Sequence, residues 1–195
     1  GRFNVANALA AAGLAVAVGF DLSVVGRGLS AASGPPGRLQ AVSDDAPFDV
    51  LVDYAHTPNA FRSVLSELRA AMNGGRLIAV FGAAGNRDRQ KRPELARIAR
   101  TYADFFYITN EDPFGEDPEA IIDEVAAGVP VEEKGNRFLR VSDRGDAIRQ
   151  AIQRAKPGDI VVILGKGHEQ SIAAGDRREP WSDVAVARRV LESMA

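Results

Sequence analysis

The sequence has no cysteine, which excludes disulfides and thiol chemistry and leaves the redox compartment open. It has no large excess of charge either: 24 Lys and Arg stand against 26 Asp and Glu, a formal net charge of −2. So small an imbalance points to no nucleic acid and no anionic membrane surface, and any basic site must be local. Nor is a signal or membrane segment expected in it. The apolar opening "NVANALAAAGLAVAVGF" carries two asparagines and two glycines and has no basic stretch of any length before it, so it reads as a buried helix. No repeat or low-complexity segment stands out. Neither G-x-x-x-x-G-K-[ST] nor G-x-G-x-x-G occurs, which removes the P-loop and the dinucleotide fingerprint. The chain opens "GRFN", without an initiator methionine, and we expect a piece of a longer protein.

What is present is an ordinary globular composition, 46% hydrophobic and 26% charged over 195 residues, which excludes disorder as the main state. The first thirty or so residues read as helical, with Gly19 and Phe20 as punctuation and Asp21 suited to an N-cap. "SGPPGR" then stops any helix, and a domain boundary is expected between 33 and 37. Beyond it, apolar runs ("FDVLVDYA", "RLIAVFGAAG", "ADFFYITN", "RFLRVSD", "GDIVVILGKG") alternate with helical segments beginning at Pro58, Arg92, Asp117 and Arg144. This alternation predicts an α/β domain with a doubly wound, mainly parallel Rossmann-like sheet over 37–195, preceded by a helical segment over 1–36. "RLQAV" is expected to pair with the first run as a hairpin arm, and "SDVAVARRVLESM" to form the last helix, capped by Ser182 or Asp183.

Ligands of such sheets bind at the carboxyl ends of the strands, and the unusual polar residues of this chain fall there. "FGAAGNRDRQKRP" joins a strand to a helix, so its glycines allow backbone N–H groups near an anion. Its cations between Arg87 and Arg92 favour a carboxylate or phosphate, with Arg87 best placed for a two-pronged grip. In "DYAHTP", Thr57-Pro58 is a helix-opening turn, while Asp53 is suited to a ribose diol and Tyr54, beside His56, to flanking a base. "TNEDPFGEDP" carries Glu111, Asp112, Glu116 and Asp117 without the spacing of a calcium loop, and suits an ammonium group. "GKGHEQ" brings Glu169 to the same edge, with His168 a structural residue. Two acidic loops and one basic loop at one edge describe a site for a zwitterion.

These motifs, in this order and together with "GRFNVANALAA", resemble the Mur ligases, most closely the MurE type, over almost the whole chain. The resemblance implies a protein of three domains, of which this chain would be the helical end of the central ATPase domain and all of the carboxyl-terminal domain. It implies an ATP- and magnesium-dependent ligase of peptidoglycan synthesis. A substrate carboxylate is phosphorylated and the amino group of an incoming amino acid attacks the acyl phosphate, the acceptor being UDP-MurNAc-L-Ala-D-Glu. It further implies a cytoplasmic protein, a monomer, with no nucleic-acid or membrane partner. By the resemblance, Asn4, Asn7, Arg38, Asp53, Tyr54 and His56 belong to the ATP site. Arg87, Asp112, Phe114, Gly165 and Glu169 belong to the amino-acid site, with Arg87 on the α-carboxylate and Gly165 and Glu169 at the side-chain end. Lys166 and His168 keep a supporting role.

One departure bears on the substrate. Family members that add meso-diaminopimelate carry D-N-P-R, whose arginine binds the second carboxylate; here the stretch is "EDPF", with Asp112 for the asparagine and Phe114 for the arginine. Phenylalanine cannot neutralise a carboxylate and an aspartate repels one, so lysine or ornithine is expected instead. The P-loop, the magnesium ligands and the modified lysine of the central domain are absent from these residues. Catalytic and metal-binding groups are therefore expected elsewhere, and the chain alone is expected to be inactive. Alternatives are a folylpolyglutamate or cyanophycin synthetase of the same superfamily, or a non-catalytic Rossmann-like module; a dehydrogenase is disfavoured because "DYAHTP", the first β-α turn, has no glycine.

Overall fold

The computed structural model describes residues 2–32, 34–42 and 45–194, so Ser33, at the edge of the expected boundary, lies outside the described residues. The chain divides into two compact units between Pro35 and Pro36. In the first, α1 (Arg2–Ala17) and α2 (Leu22–Ala31) pack on each other. Gly19 takes a left-handed φ of 97° between them, a conformation that a side chain disfavours. Asp21 occupies the N-cap of α2 but makes no side-chain capping bond. The expectation of a buried opening helix is corrected here: Val5, Leu9 and Leu14 are 60%, 68% and 71% exposed. Alanine and leucine surround α1 on all sides, and α2 alone is too narrow to cover a helix that is apolar all round.

The second unit is built on a six-stranded sheet. Its strands are β1 (Gln40–Ala41), β2 (Asp49–Asp53), β3 (Leu77–Phe81), β4 (Phe105–Ile108), β5 (Phe138–Arg140) and β6 (Ile160–Leu164), in the order β1-β2-β6-β3-β4-β5. β1 is the antiparallel hairpin arm that "RLQAV" predicted, with Gln40 opposite Val52. β2 to β6 are parallel throughout. The crossover helices are α3 (Pro58–Ala71), α4 (Lys91–Tyr102), α5 (Pro118–Ala126) and α6 (Arg144–Arg154), followed by the last helix α7 (Asp183–Glu192).

Parallel strands covered on both faces read as continuous apolar runs, and every residue of β3 and β4 is buried. Alternate residues serve opposite faces. On one, Phe61 of α3, Phe81, Phe106 and Phe138 form a chain of ring contacts with centroids 5.2 to 5.8 Å apart. On the other, Val50, Ile78, Val80, Val161 and Ile163 pack with Ala147, Ile148, Ala151 and Ile152 of α6 and Ala187 of α7. Caps fix where the helices begin: Thr57 Oγ1 accepts from Ala60 N, Asp117 from Glu119 N, Asp143 from Asp146 N and Ser182 from Ala185 N. Of the two residues considered for the last cap, Ser182 serves; Asp183 is buried and receives the Arg144 guanidinium at 2.7 and 2.8 Å. A small antiparallel hairpin, β7 (Ser171–Ala174) and β8 (Arg177–Pro180), follows β6.

Candidate functional site

β6 lies between β2 and β3, so the turn after it, 165–170, sits centrally at the carboxyl edge. The loops after β2, β3 and β4 meet that turn around a cleft of about 460 Å³. Arg87, Asp112, Phe114, Gly165 and Glu169, the residues expected to hold an amino acid, all line it, as do Tyr54 and His56. Lys91, Glu111 and Lys166, which the sequence marked only as members of the basic, acidic and central loops, also line it, and so do Ser171 and Arg178 of the hairpin, which sequence reasoning left out.

The basic loop is less free than its composition suggests. Arg92 is fully buried, donating to Glu116, to Glu124 and to the carbonyl of Ala84, and Arg89 pairs with Glu124. Those side chains tie the loop to α5. Hydrogen bonding from Arg92, with the backbone N–H of Asn86, pulls the Glu116 carboxyl down to about 2. Arg87 and Lys91 are the cations left for the cleft. The Arg87 guanidinium lies 5.5 Å from the centroid of the Phe114 ring, a cation–π placement, and Lys91 Nζ donates to the His56 carbonyl at 3.1 Å.

The acidic loop is likewise divided in purpose. Glu116 and Asp117 are structural, the second as the α5 cap. Asp112 receives Lys166 Nζ at 2.7 and 2.8 Å and the Ala173 N–H at 2.7 Å. Lys166 also reaches Glu169 Oε2 at 2.9 Å. Its ammonium, 1% exposed, thus stands between the two carboxylates that the sequence placed opposite each other around a ligand. Backbone bonds from Phe114 N to Ala173 O and from Gly175 N to Phe114 O fasten the same loop to the hairpin. That brings Arg178 to the cleft, where its Nη1 lies 3.3 Å from Ser171 Oγ.

Glu111 differs from its neighbours. It is 6% exposed and lines the cleft, and among the described residues its carboxylate accepts no hydrogen bond. Burial pushes its pKa up, opposed chiefly by Arg144. Gly165, with φ of 111°, makes room for it: a Cβ there would stand 2.3 Å from Glu111 Oε2.

At the other end of the cleft, the Tyr54 ring is in contact with the rings of His56 and His168 at 4.8 and 5.1 Å and with the Arg38 guanidinium at 5.0 Å. Asp53 is buried, and its two oxygens accept the N–H groups of Leu39 and Ala55 at 2.8 and 2.7 Å. It holds the loop carrying Arg38 against the end of β2. Gly37 lets the same loop approach the turn after β6, since a Cβ there would lie 2.2 Å from His168 N. Both Asp53 oxygens are thus spent on backbone N–H groups, while the Tyr54 ring lines the cleft beside a cation. Asn4 and Asn7 belong to the other unit, on α1.

Fold and cleft together define a class first: a doubly wound α/β domain with a charged, zwitterion-suited cleft at the carboxyl edge of its parallel strands. The comparisons then name the family. The model described as "Mur ligase, glutamate ligase domain" matches residues 37–167, and the chain belongs to the Mur ligase family. It is 47% identical, over its whole length, to a UDP-N-acetylmuramyl-tripeptide synthetase of a Roseiflexus species. To a UDP-N-acetylmuramoyl-L-alanyl-D-glutamate–2,6-diaminopimelate ligase of Gloeobacter violaceus it is 46% identical over 98% of its length. It spans 38% of each of these relatives. A solved structure of a ligase of the second name superposes with a TM-score of 0.77 at 38% identity, covering all of this chain and 39% of that one. A folylpolyglutamate synthase/dihydrofolate synthase of Yersinia pestis superposes at 0.56 with 25% identity, over 89% of this chain and 34% of its own. No helix among the described residues is long and apolar enough to cross a membrane.

Proposed function

We propose that this chain is the carboxyl-terminal portion of an ATP-dependent ligase that adds a diamino acid to UDP-MurNAc-L-Ala-D-Glu through an acyl phosphate, in peptidoglycan synthesis in the cytoplasm. Residues 37–195 would receive the amino acid, and the helices of 1–36 would end the central ATPase domain, whose remainder would cover the exposed apolar side chains of α1. The observation that carries this reading is the charge layout of the cleft. Arg87 and Lys91 of the basic loop line it together with three carboxylates, of which Asp112 and Glu169 share the Lys166 ammonium while Glu111 is opposed chiefly by the buried Arg144. An α-carboxylate suits the first group and the surplus negative charge of the second suits an ammonium.

ATP would lie near Arg38, Asp53, Tyr54 and His56, and Asn4 and Asn7 are nucleotide ligands only by the family resemblance. When bound, with Mg2+, it would supply the phosphoryl group that turns a carboxylate into an electrophile. The chain's own residues would hold and orient the nucleophile, and by itself the chain would not turn over.

Lysine or ornithine is the amino acid we favour. Repulsion of a second carboxylate by Asp112 no longer carries that choice, because Asp112 is engaged by Lys166 and Ala173. What supports it is Phe114 at the arginine position and the partly exposed Glu169 side chain on the cleft wall. A second reading, meso-diaminopimelate, is favoured by Arg178, a cleft cation whose one side-chain partner among the described residues is the Ser171 hydroxyl. The test is a panel of lysine, ornithine and meso-diaminopimelate with the full-length protein, ATP and UDP-MurNAc-dipeptide, following product mass. Tripeptide formed with diaminopimelate alone sinks the preference, and no amino-acid-dependent product with any member of the panel sinks the ligase reading.

A further inference from the structure

Buried carboxylates in this domain are otherwise accounted for. Asp53 accepts two backbone N–H groups, Asp159 accepts Arg76 and two N–H groups, and Asp183 accepts Arg144 and the Trp181 indole. Among the described residues, Glu111 is the exception: 94% buried, without a hydrogen-bond donor, and on the wall of the cleft. Its oxygens are not sealed off from solvent but open on the cleft. Gly165 would collide with its carboxylate if it bore a Cβ, and a Cβ on Gly82 would lie 3.0 Å from its own Cβ. A Cβ at 165 would displace the carboxylate, whereas one at 82 would meet the Thr109 carbonyl oxygen first, at 2.6 Å, so it is Gly165 that leaves room for the carboxylate.

We propose that Glu111 is a catalytic residue, the proton acceptor for the amino group that becomes the nucleophile. The inference rests on the ligase reading above. An amino acid enters as an ammonium, which has no lone pair to attack with. One N–H proton passes to the Glu111 carboxylate, leaving a neutral amine and a neutral carboxylic acid. The amine lone pair forms the C–N bond at the acyl phosphate carbon and the carbon–oxygen bond to phosphate breaks. The second proton leaves with inorganic phosphate, and Glu111 returns its own to solvent. A carboxylate suits this task when its proton affinity is raised towards neutrality. The groups facing Glu111 divide accordingly: Arg144, Lys166 and Lys91 lower that affinity, Asp112 raises it, and burial raises it most.

The experiment uses the full-length protein with lysine, ornithine and meso-diaminopimelate and compares wild type, Glu111→Gln and Glu111→Asp. It measures acyl phosphate trapped by borohydride, and kcat and KM for ligation across pH. Glu111→Gln is expected to form acyl phosphate at the wild-type level while kcat for ligation falls about 100-fold or more, with a much smaller change in KM. The acid limb of its kcat profile should disappear, and Glu111→Asp should recover part of the rate and keep that limb at lower pH. Full ligation by Glu111→Gln, an unchanged acid limb, or an equal loss of both half-reactions would overturn the assignment. Should the glutamine variant not fold, an aspartate variant with an unmoved acid limb overturns it as well. A wild-type enzyme that forms no acyl phosphate overturns the ligase reading itself, and this proposal with it.

Discussion

Replacing Lys166 by methionine would test how the cleft is held in shape. Its ammonium is 1% exposed and bridges Asp112, at 2.7 Å, to Glu169, at 2.9 Å. Glu169 is 37% exposed on its side chain, so its share is screened and small. Asp112, at 15%, would be left with the Ala173 N–H and little water. Breaking a buried pair by removing one partner costs about 3–5 kcal/mol, and the partial exposure of Asp112 places this case near 3. For a chain of this size each kcal/mol shifts Tm by roughly 2–4 °C, so a fall of about 6–12 °C is expected in thermal unfolding followed by circular dichroism. A double-mutant cycle sharpens the reasoning: once Asp112→Asn has removed the stranded charge, Lys166→Met should cost at least about 1 kcal/mol less. A Tm shift below about 2 °C for Lys166→Met, or strict additivity in the cycle, would refute the claim that Lys166 locks the acidic loop to the central turn.

Three further outcomes follow from the same geometry. Arg144→Met should destabilise by about 3–5 kcal/mol, read by urea unfolding, because its buried guanidinium holds Asp183 and the carbonyls of Leu164 and Asn110. Gly165→Ala should abolish amino-acid binding as well as lower Tm, since the site combines a left-handed φ with a contact against Glu111; unchanged binding in calorimetry contradicts this. Glu116 titrates near 4.5 when free and near 2 when folded, so its contribution is fully present above pH 4.5 and is lost as pH falls towards 2. Glu116→Gln should therefore flatten the acid side of a Tm-versus-pH curve, and a curve of wild-type steepness would count against the Arg92 pairing.

The sheet was legible in the sequence because its signals are local. Apolar runs, caps at Thr57, Asp117 and Ser182, and the glycines and prolines at 34–37 each act within a few residues. Polar residues at the strand ends marked the edge, and the family pattern gave most of the cleft. What was missed depends on distant partners. The β7–β8 hairpin is mostly small and charged residues, with β8 wholly exposed, so no apolar alternation announces it; its Gly175-Asp176 turn was the available signal. Arg92 reads as one more surface cation, and only the fold shows it buried between Glu116 and Glu124. Glu111 reads as one of four loop carboxylates, yet burial and the absence of a donor set it apart. The opening helix failed in the opposite sense: its composition predicts burial, but nothing in its own unit is large enough to bury it.

The central claim is that the cleft between Arg87 and Glu169 holds the incoming amino acid. Its most direct test is the steady-state kinetics of Arg87→Ala and Glu169→Gln in the full-length protein. We expect KM for the amino acid to rise by about tenfold or more in each, the loss of a charge-assisted bond of roughly 1.5–3 kcal/mol, with KM for ATP within twofold of wild type. An unchanged KM for the amino acid, or a change confined to ATP, would contradict the account.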